Sequence, residues 1–359
     1  MGSRSWSAYA AASVALSVAA VVALVGCGGG DGGGGGGGNP PPPPTPDQMT
    51  WTVTDLGTFG GATSQALDVN EQGDVVGDAR LANNDAHAFL EASPLTDLGT
   101  LGGDGHSSAT EINDAGLIVG WSWAPGTTTR HAVMYAGGVM SDLFPGSAAS
   151  ALAVNSAGQI VGVRGDEAFL RSGTTTTNLG TLGGATSQAR DINDQGVIVG
   201  WAELADGTTE RAFVYQAGQM ADIGTLGGTN SRAYGVNSQG WVAGDSQTAG
   251  NASDWPPGHG FIFRNGTMTD IGTLGGAKSH ADAINDEGVV VGEAMLADDT
   301  TWHAFAYFDG EMTDLNDRLA AGFREWTLEQ ARGINEARQI VGVGTTPEGD
   351  RHAYLATPR

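Results

Sequence analysis

The sequence is poor in cysteine and in basic residues. Only one of its 359 residues is a cysteine, Cys27, so no disulfide can form within the chain. Lysine and arginine total 16 against 40 aspartate and glutamate residues, which gives a formal net charge of −24. Such a surface repels phosphate backbones and anionic lipid headgroups. We therefore expect no nucleic-acid partner and no membrane attachment through basic residues.

Signatures of enzymatic chemistry are also missing. The sequence has no G-x-S-x-G nucleophile elbow, H-E-x-x-H zinc motif, P-loop or dinucleotide fingerprint in the strand and helix context that each requires. The single cysteine lies close to the N-terminus, outside any segment that could fold into a domain core. The sequence therefore favours a protein that is not an enzyme and that has no cofactor.

The lone cysteine follows an apolar run. Arg4 precedes a mostly apolar stretch, residues 10–26, which is typical of an export signal. The tetrad Leu-Val-Gly-Cys at 24–27 resembles a bacterial lipobox, in which the peptide is cut before the cysteine and the thiol carries a diacylglycerol. We therefore predict a lipoprotein signal peptide at 1–26 and lipidation of Cys27. An ordinary signal peptide or an anchor helix remains the alternative.

A glycine- and proline-rich segment comes next. Glycine repeats form a flexible coil and a run of five prolines forms a stiff rod, so residues 27–48 are predicted to be a lipidated tether. A low-complexity segment without a role is the alternative. Gly28, rather than aspartate, follows the cysteine, which favours the outer membrane. We expect an exported protein, anchored only by its lipid to the cell envelope at the surface of a bacterium.

From Trp51 onward the chain is an internal repeat. Three separate anchors each occur seven times, and copies of the first lie 38 to 50 residues apart. The first anchor is an asparagine before a turn: Asn70, Asn113, Asn155, Asn193, Asn237, Asn285 and Asn335. The second begins HAF-like segments: His87, His131, Glu167, Arg211, His259, His303 and His352. The third begins DLG-like segments: Asp55, Asp97, Asp142, Asn178, Asp222, Asp270 and Asp314.

Each repeat has the pattern of four β-strands. Segments of about six residues, rich in β-branched and aromatic residues, alternate with Asn-x-x-Gly and two-residue Asp-Gly or Asn-Gly turns. The chain begins with a lone fourth-strand segment and ends with a third-strand segment, so the N-terminal strand can complete the last repeat. The predicted fold class is all-β: residues 49–359 form a monomeric seven-bladed β-propeller of four-stranded antiparallel blades, closed by the N-terminal strand.

The motif GTLGG follows most copies of the third anchor, where the chain passes from the outer strand of one blade to the first strand of the next. The connection after Asp314 is longer, and we expect a helical turn there. Together, HAF, TDLGTLGG and INDEGVVVG resemble the bacterial extracellular HAF repeat family over about residues 51–357. The family is understood as exported repeat proteins, so the resemblance implies export and a repeat fold and implies no particular activity.

Five of the seven histidines occupy the second anchor. Across a two-residue turn, His303 and Asp314 would be diagonal neighbours on one face of a hairpin. Where the histidine is replaced by Glu167, the partner becomes Asn178, which avoids repulsion between two carboxylates. We predict structural pairs, with a metal site or catalysis as alternatives. The pairs are His87–Asp97, His131–Asp142, Glu167–Asn178, Arg211–Asp222, His259–Asp270, His303–Asp314 and His352–Asp55.

The Asn-x-x-Gly segments place carboxylate and amide oxygens in tight loops, as in INDEG at 284–288. Such oxygens are calcium ligands, but the segments lack the spaced acidic residues of an EF-hand loop. We predict simple hairpin turns, with a Ca²⁺ site as the alternative.

The segments between the second and third strands differ most between repeats. Four of them carry tryptophan, and flat aromatic faces beside acids and amides are typical of carbohydrate sites. Packing between blades is the alternative role for these rings. The candidate ligand-binding residues are Trp121, Trp123, Trp201, Trp255 and Trp302.

These features favour a tethered module that binds a glycan or a protein through this loop face. Two other functions stay open: an enzyme acting on polysaccharide, either a lyase or a glycosidase, and a purely structural envelope protein. The fold alone does not choose among them.

Overall fold

The strands form four-stranded antiparallel meanders. The computed structural model describes residues 49–91, 95–103, 105–249 and 258–359. Within each meander the chain runs from the first strand to its neighbours in order. The first strands are β2 Gly60–Val69, β6 Ser107–Ile112, β10 Ala149–Val154, β14 Gly183–Ile192, β18 Gly227–Val236, β22 Gly275–Ile284 and β26 Thr327–Ile334. The second strands are β3 Val75–Leu81, β7 Ile118–Trp123, β11 Ile160–Arg164, β15 Ile198–Leu204, β19 Val242–Thr248, β23 Val290–Leu296 and β27 Ile340–Thr345.

The outer half of each meander is a hairpin. The third strands are β4 Ala86–Glu91, β8 Arg130–Ala136, β12 Glu167–Ser172, β16 Glu210–Gln216, β20 His259–Arg264, β24 Trp302–Phe308 and β28 Arg351–Pro358. The fourth strands are β5 Leu95–Gly99, β9 Val139–Asp142, β13 Thr175–Gly180, β17 Gln219–Asp222, β21 Thr267–Asp270, β25 Glu311–Asp314 and β1 Trp51–Gly57.

The two ends of the chain meet in one meander. Strand β1 pairs antiparallel with β28, with Trp51 opposite Pro358. It thus takes the fourth position beside β26, β27 and β28. One parallel bridge, between Thr63 and Arg351, links this meander to the one formed by β2 to β5, and the two count together as an eight-stranded sheet. The N-terminal strand therefore occupies an edge that the C-terminal strand would otherwise leave unpaired.

A serine in the first strand joins one meander to the one before it. Ser187 Oγ donates to the carbonyl oxygen of Gly180, at 2.6 Å, and accepts the N–H of Ala168, at 2.9 Å. Gly180 ends the preceding fourth strand, and Ala168 is the alanine of the HAF-like segment in the preceding third strand. The same two hydrogen bonds recur at Ser64 with Gly57 and Ala353, Ser107 with Gly99 and Ala88, Ser231 with Gly224 and Ala212, and Ser279 with Gly272 and Gly260.

The repeated asparagine makes a second kind of junction. Asn193 Oδ1 accepts the N–H groups of Gln195 and Val197 and so closes its own turn. Its Nδ2 donates to the backbone oxygen of Asn237 in the next meander, at 2.8 Å. The same carboxamide-to-carbonyl bond joins Asn113 to Asn155, Asn155 to Asn193, Asn237 to Asn285, Asn285 to Asn335, and Asn335 to Asn70.

Close backbone approach explains the glycine of the second strand. A β-carbon on Gly77 would lie 2.0 Å from the backbone oxygen of Gln65 and 2.9 Å from Cε1 of Phe89. Phe89 is the phenylalanine of a HAF segment and is fully buried. The glycine and the aromatic ring therefore fit together, and a larger residue at position 77 would push the first two strands apart.

The GTLGG crossing also has a specific hydrogen-bond pattern. In the copy at 180–184, Thr181 Oγ1 donates to the backbone oxygen of Gly184, at 2.9 Å, and accepts the N–H of Gly183, at 3.2 Å. Gly183 has a φ of +109°, which disfavours other residues. The threonine and the two glycines thus form one compact turn.

The connection after β25 differs from the other crossings. It begins with a 3-10 helix, Leu315–Arg318, whose N-cap residue Asp314 accepts the N–H of Asn316. The helical turn that we predicted in this connection is confirmed. Among the described residues, no helix is both long enough and apolar enough to span a membrane.

The asparagine junction leads to a stability prediction. We expect Asn193→Ala to lower the free energy of unfolding by about 2–4 kcal/mol, because two turn amides and one carbonyl would lose their partner in a buried place. Asn83→Ala, on an exposed turn, is the control and should change it by less than about 1 kcal/mol. Urea unfolding measures both variants, and equal effects would contradict a special role for the buried asparagine.

Candidate functional site

The first strands converge on a cavity of about 560 Å³. This volume lies within the range of about 300–1,000 Å³ that is usual for small-molecule sites. Every first strand contributes to the wall, and β3, β7 and β8 add residues at one end. The cavity wall therefore contains one or more residues from every repeat, and these residues differ from repeat to repeat.

A β-bulge in each first strand supplies the wall. The register with the second strand shifts by one residue, for example between Ala189 and Asp191, so Arg190 is the extra residue. A bulge re-aims the side chains around it, and here the extra residue lines the cavity. The equivalent residues are Leu67, Thr110, Leu152, Arg190, Tyr234, Asp282 and Arg332.

Three carboxylates follow the bulge in their strands: Asp68, Glu111 and Asp191. Each accepts the N–H of a residue in another first strand, which is Ile112 for Asp68 at 3.0 Å, Val154 for Glu111 at 3.1 Å, and Val236 for Asp191 at 2.7 Å. Burial in the cavity wall raises the pKa of Asp68 and Asp191 to about 6, although these backbone N–H groups oppose the shift. Burial, with repulsion from the other two carboxylates, raises the pKa of Glu111 well above its usual value.

The basic groups of the cavity have different surroundings. Arg332 Nη1 lies 3.1 Å from Asp282 Oδ1, and its Nη2 donates to Gln330 Oε1 at 2.8 Å. The guanidinium carbon of Arg190 lies 5.2 Å from the ring centre of Tyr234. Arg332 is thus paired with a carboxylate, whereas the guanidinium of Arg190 lies over an aromatic ring.

The end of the cavity nearest the connections between second and third strands is polar. Asp78 Oδ2 accepts hydrogen bonds from Gln65 Nε2 and Ser108 Oγ, both at 2.8 Å. Trp121 lies opposite Ser108 in the strand register and lines the cavity. The guanidinium of Arg130 covers the Trp121 ring at 4.2 Å.

The predicted tryptophans have different positions. Trp121 lines the cavity, and Trp201 Nε1 donates to the cavity residue Gln188 at 3.2 Å. The ring of Trp123 packs edge-on against His106, with centroids 4.2 Å apart, and the ring of Trp302 lies 5.8 Å from that of His280. These four tryptophans are half-buried. Trp255 and Cys27 lie outside the described residues.

The histidine anchors lie in pairs in the outer hairpins and not in the cavity wall. The shortest distances from Nδ1 to a carboxylate oxygen are 2.9 Å for His87–Asp97, 2.6 Å for His131–Asp142, 2.8 Å for His259–Asp270, 2.6 Å for His303–Asp314 and 3.0 Å for His352–Asp55. Arg211 Nη1 lies 3.9 Å from Asp222 Oδ2, and Asn178 Nδ2 donates to Glu167 Oε2.

The acidic partner in these pairs has a second contact. Asp97 Oδ1 accepts the N–H of Gly99, which begins the crossing to the next meander. The hydrogen bond with Asp314 raises the pKa of His303. Within the described ranges, no three His, Cys, Asp or Glu side chains form a group that could hold a metal ion.

The carboxylates of the Asn-x-x-Gly turns bind backbone amides. Asp114 Oδ1 accepts the N–H of Glu71, and Asp286 Oδ1 accepts that of Ser238. To bind Ca²⁺, these oxygens would have to give up their hydrogen bonds with backbone N–H groups.

Sequence reasoning missed the cavity. It expected convergent acids only if an enzyme were present, and no motif singled out Asp68, Glu111 or Asp191. One signal was available, because each of these acids lies two residues before a repeated asparagine. The same position holds Ala153, Gly235, Ala283 and Gly333 in other repeats, so it has no common chemistry.

The comparisons with known proteins support the fold. No protein-family model matches the chain, and no curated protein sequence matches it. The β-propeller domain of the Trilobed protease from Pyrococcus furiosus, which has an open velcro topology, is similar with a TM-score of 0.51 and 12% identity over 86% of this chain and 97% of that one. The acylaminoacyl peptidase of Pyrococcus horikoshii has a TM-score of 0.51 and 10% identity over 84% of this chain and 52% of the peptidase.

A weaker likeness is to TolB from Acinetobacter baumannii, with a TM-score of 0.42 and 11% identity over 67% of this chain and 63% of TolB. At such identities a likeness shows the fold and nothing of the activity. The all-β meanders and the similarity to the β-propeller domain of the Trilobed protease together indicate a β-propeller-type fold.

The cavity carboxylates generate a pH prediction. An acid whose pKa is raised by folding favours the folded state when it is protonated, so its contribution is lost as pH rises from about 4 to above 6. Between these pH values, the free energy of unfolding of Asp191→Asn should fall by up to about 3 kcal/mol less than that of the unmodified chain. The asparagine oxygen can still accept the N–H of Val236, so the variant keeps that hydrogen bond.

The measurement is urea unfolding at pH 4.5, 6 and 7.5. Asp166→Asn, on an exposed turn, is the matched control and should keep the pH dependence of the unmodified chain. A parallel pH dependence in Asp191→Asn and the unmodified chain would contradict the raised pKa.

Proposed function

We propose that residues 49–359 form a seven-bladed β-propeller closed by the N-terminal strand. Three contacts support closure: the pairing of β1 with β28, the hydrogen bonds of Ser64 to Gly57 and Ala353, and the bond from Asn335 Nδ2 to the Asn70 oxygen at 3.0 Å. The serine and asparagine bonds are the ones that join consecutive meanders elsewhere. A closed ring therefore accounts for the chain ends without a special junction.

Residues 1–48 suggest where the propeller acts. We propose that the protein belongs to the HAF repeat family, that residues 1–26 are removed on export, and that Cys27 carries a lipid anchoring it to the bacterial envelope, at the outer membrane. The lipobox-like tetrad, the Gly/Pro-rich segment and the repeat motifs support this proposal. The protein acts as a monomer and without a resident cofactor.

Lipidation has a direct test. In a Gram-negative host fed radiolabelled palmitate, the full chain should incorporate label and enter the detergent phase of a Triton X-114 extraction, because a diacylglycerol anchor is strongly apolar. Cys27→Ser should show neither property. Label in Cys27→Ser, or none in the unmodified chain, would contradict the anchor.

The propeller is proposed to be a binding module, and its ligand is proposed to be a glycan. The observation that carries this function is the 560 Å³ cavity, in which the side-chain hydroxyls and amides of Ser108, Ser150 and Gln188 share a wall with Trp121. Amide and hydroxyl groups bind sugar hydroxyls, and an indole face packs against the C–H face of a sugar ring. The nearest alternative is a protein ligand that binds the loop face formed by the segments between the second and third strands.

Glycan binding can be measured by calorimetry on the full chain in detergent, with a panel of neutral and acidic oligosaccharides. We expect Trp121→Ala to weaken binding roughly two- to twelvefold, because an aromatic contact contributes about 0.5–1.5 kcal/mol beyond its buried area. Trp241→Ala is the matched control, since Trp241 is a half-buried tryptophan under Arg264 that does not line the cavity. No heat with any glycan would overturn a glycan-binding function.

A second candidate function is cleavage of a polysaccharide, either by hydrolysis (a glycosidase) or by elimination (a lyase). The three cavity carboxylates favour it, because a carboxyl group with a raised pKa can act as a general acid near neutral pH. If new reducing ends are released from a bound glycan, and Glu111→Gln abolishes this release, the protein is an enzyme and not only a binding module. Binding without release would leave the binding module in place.

A further inference from the structure

The cavity wall contains three arginines, although the protein is strongly acidic. The chain has 16 lysines and arginines against 40 acids. Three of the arginines, Arg130, Arg190 and Arg332, nevertheless line this one cavity. Five acidic residues line the cavity as well, so each arginine has to be considered with its own partners.

Arg332 has a carboxylate within 4.0 Å, whereas Asp191 and Asp282 act on Arg190 only from a greater distance. The carboxylate of Asp282 lies 3.1 Å from Arg332. In the described part of the chain, Arg190 makes no hydrogen bond and no ion pair within 4.0 Å, and its guanidinium lies over the ring of Tyr234. Five N–H donors therefore border the cavity without an acceptor from the protein.

The nearest carboxylate in the sequence is already engaged. Asp191 Oδ2 accepts the N–H of Val236, and its Oδ1 accepts its neighbour's N–H, that of Ile192. These bonds hold the carboxylate against the backbone of the strands. The guanidinium of Arg190 is consequently available to an anion that enters the cavity from outside.

The chemistry of the wall selects the kind of anion. A planar guanidinium binds a carboxylate through two parallel hydrogen bonds. The wall also contains Gln188, Ser150 and Thr110, whose uncharged polar groups can pair with sugar hydroxyls. Asp68, Glu111 and Asp191 line the same cavity and repel a group that concentrates more than one negative charge. Carboxylates carried one to a sugar ring and set among hydroxyls therefore fit this wall better than a phosphate group.

We propose that the cavity binds an acidic glycan and that Arg190 holds the carboxylate of one uronic acid residue. Arg130, stacked on Trp121 at the polar end of the cavity, faces the next acidic residue of the glycan chain. This inference rests on the proposed glycan-binding function and specifies its ligand class.

The test compares an acidic ligand with its uncharged methyl ester. Calorimetry on the full chain in detergent uses trigalacturonate and its fully methyl-esterified form, at one ionic strength. We expect trigalacturonate to bind at least about tenfold more tightly than the ester, because the ester cannot form the charge-assisted pair. Arg190→Gln should weaken trigalacturonate binding roughly 10- to 100-fold and leave ester binding within about twofold.

Arg264→Gln is the control, since it removes the same charge from an exposed residue outside the cavity wall. It should leave both affinities unchanged. Equal or tighter binding of the methyl ester would overturn the acidic ligand while leaving glycan binding intact, as would binding of a neutral glycan alone. Unweakened trigalacturonate binding in Arg190→Gln would overturn the assigned residue. Failure of a correctly folded chain to bind any glycan would overturn both this inference and the proposed function.

Discussion

The structure depends on side-chain hydrogen bonds that satisfy the backbone of a neighbouring meander. A four-stranded meander packs its faces against its neighbours, but a face contact alone does not fix how the two are aligned. Ser187 ties the first strand to two backbone groups of the meander before it, and Asn193 ties its turn to the backbone of the meander after it. These bonds are directional, so they set both the spacing and the height of each meander against the next.

These junctions also explain which parts of the sequence repeat. The serine needs an alanine or a glycine N–H opposite it, and the HAF-like segment supplies that residue in a buried position between meanders. The second-strand glycine must lack a β-carbon because backbone lies 2.0 Å from where that carbon would be at Gly77. The residues that repeat are thus the ones that make the same contacts at each junction, and they do not identify a ligand.

Much of the fold followed from local patterns. The two-residue turn at 309–310 predicted that His303 and Asp314 are diagonal neighbours, which requires Phe305 to lie opposite Asp314, and these two residues do pair. That register places His303 within reach of Asp314. The cavity wall could not be found in this way, because a bulge interrupts the alternation of the first strand. Arg190 and Asp191 are adjacent in sequence and both line the cavity, where a regular strand would point one of them away.

The bulge residues differ between repeats, so the cavity wall is asymmetric although the strands around it repeat. Along the chain, the bulge residues of the first three repeats are Leu67, Thr110 and Leu152, which carry no charge. The four that follow are Arg190, Tyr234, Asp282 and Arg332. Consecutive meanders are neighbours in space, so the bulge residues are uncharged on one side of the wall and ionisable or aromatic on the other. A ligand in a ring of identical groups could bind in several equivalent rotations. In this cavity the rotations differ in energy, because only one of them sets an anionic group against Arg190 and leaves the apolar part of the ligand against the leucines.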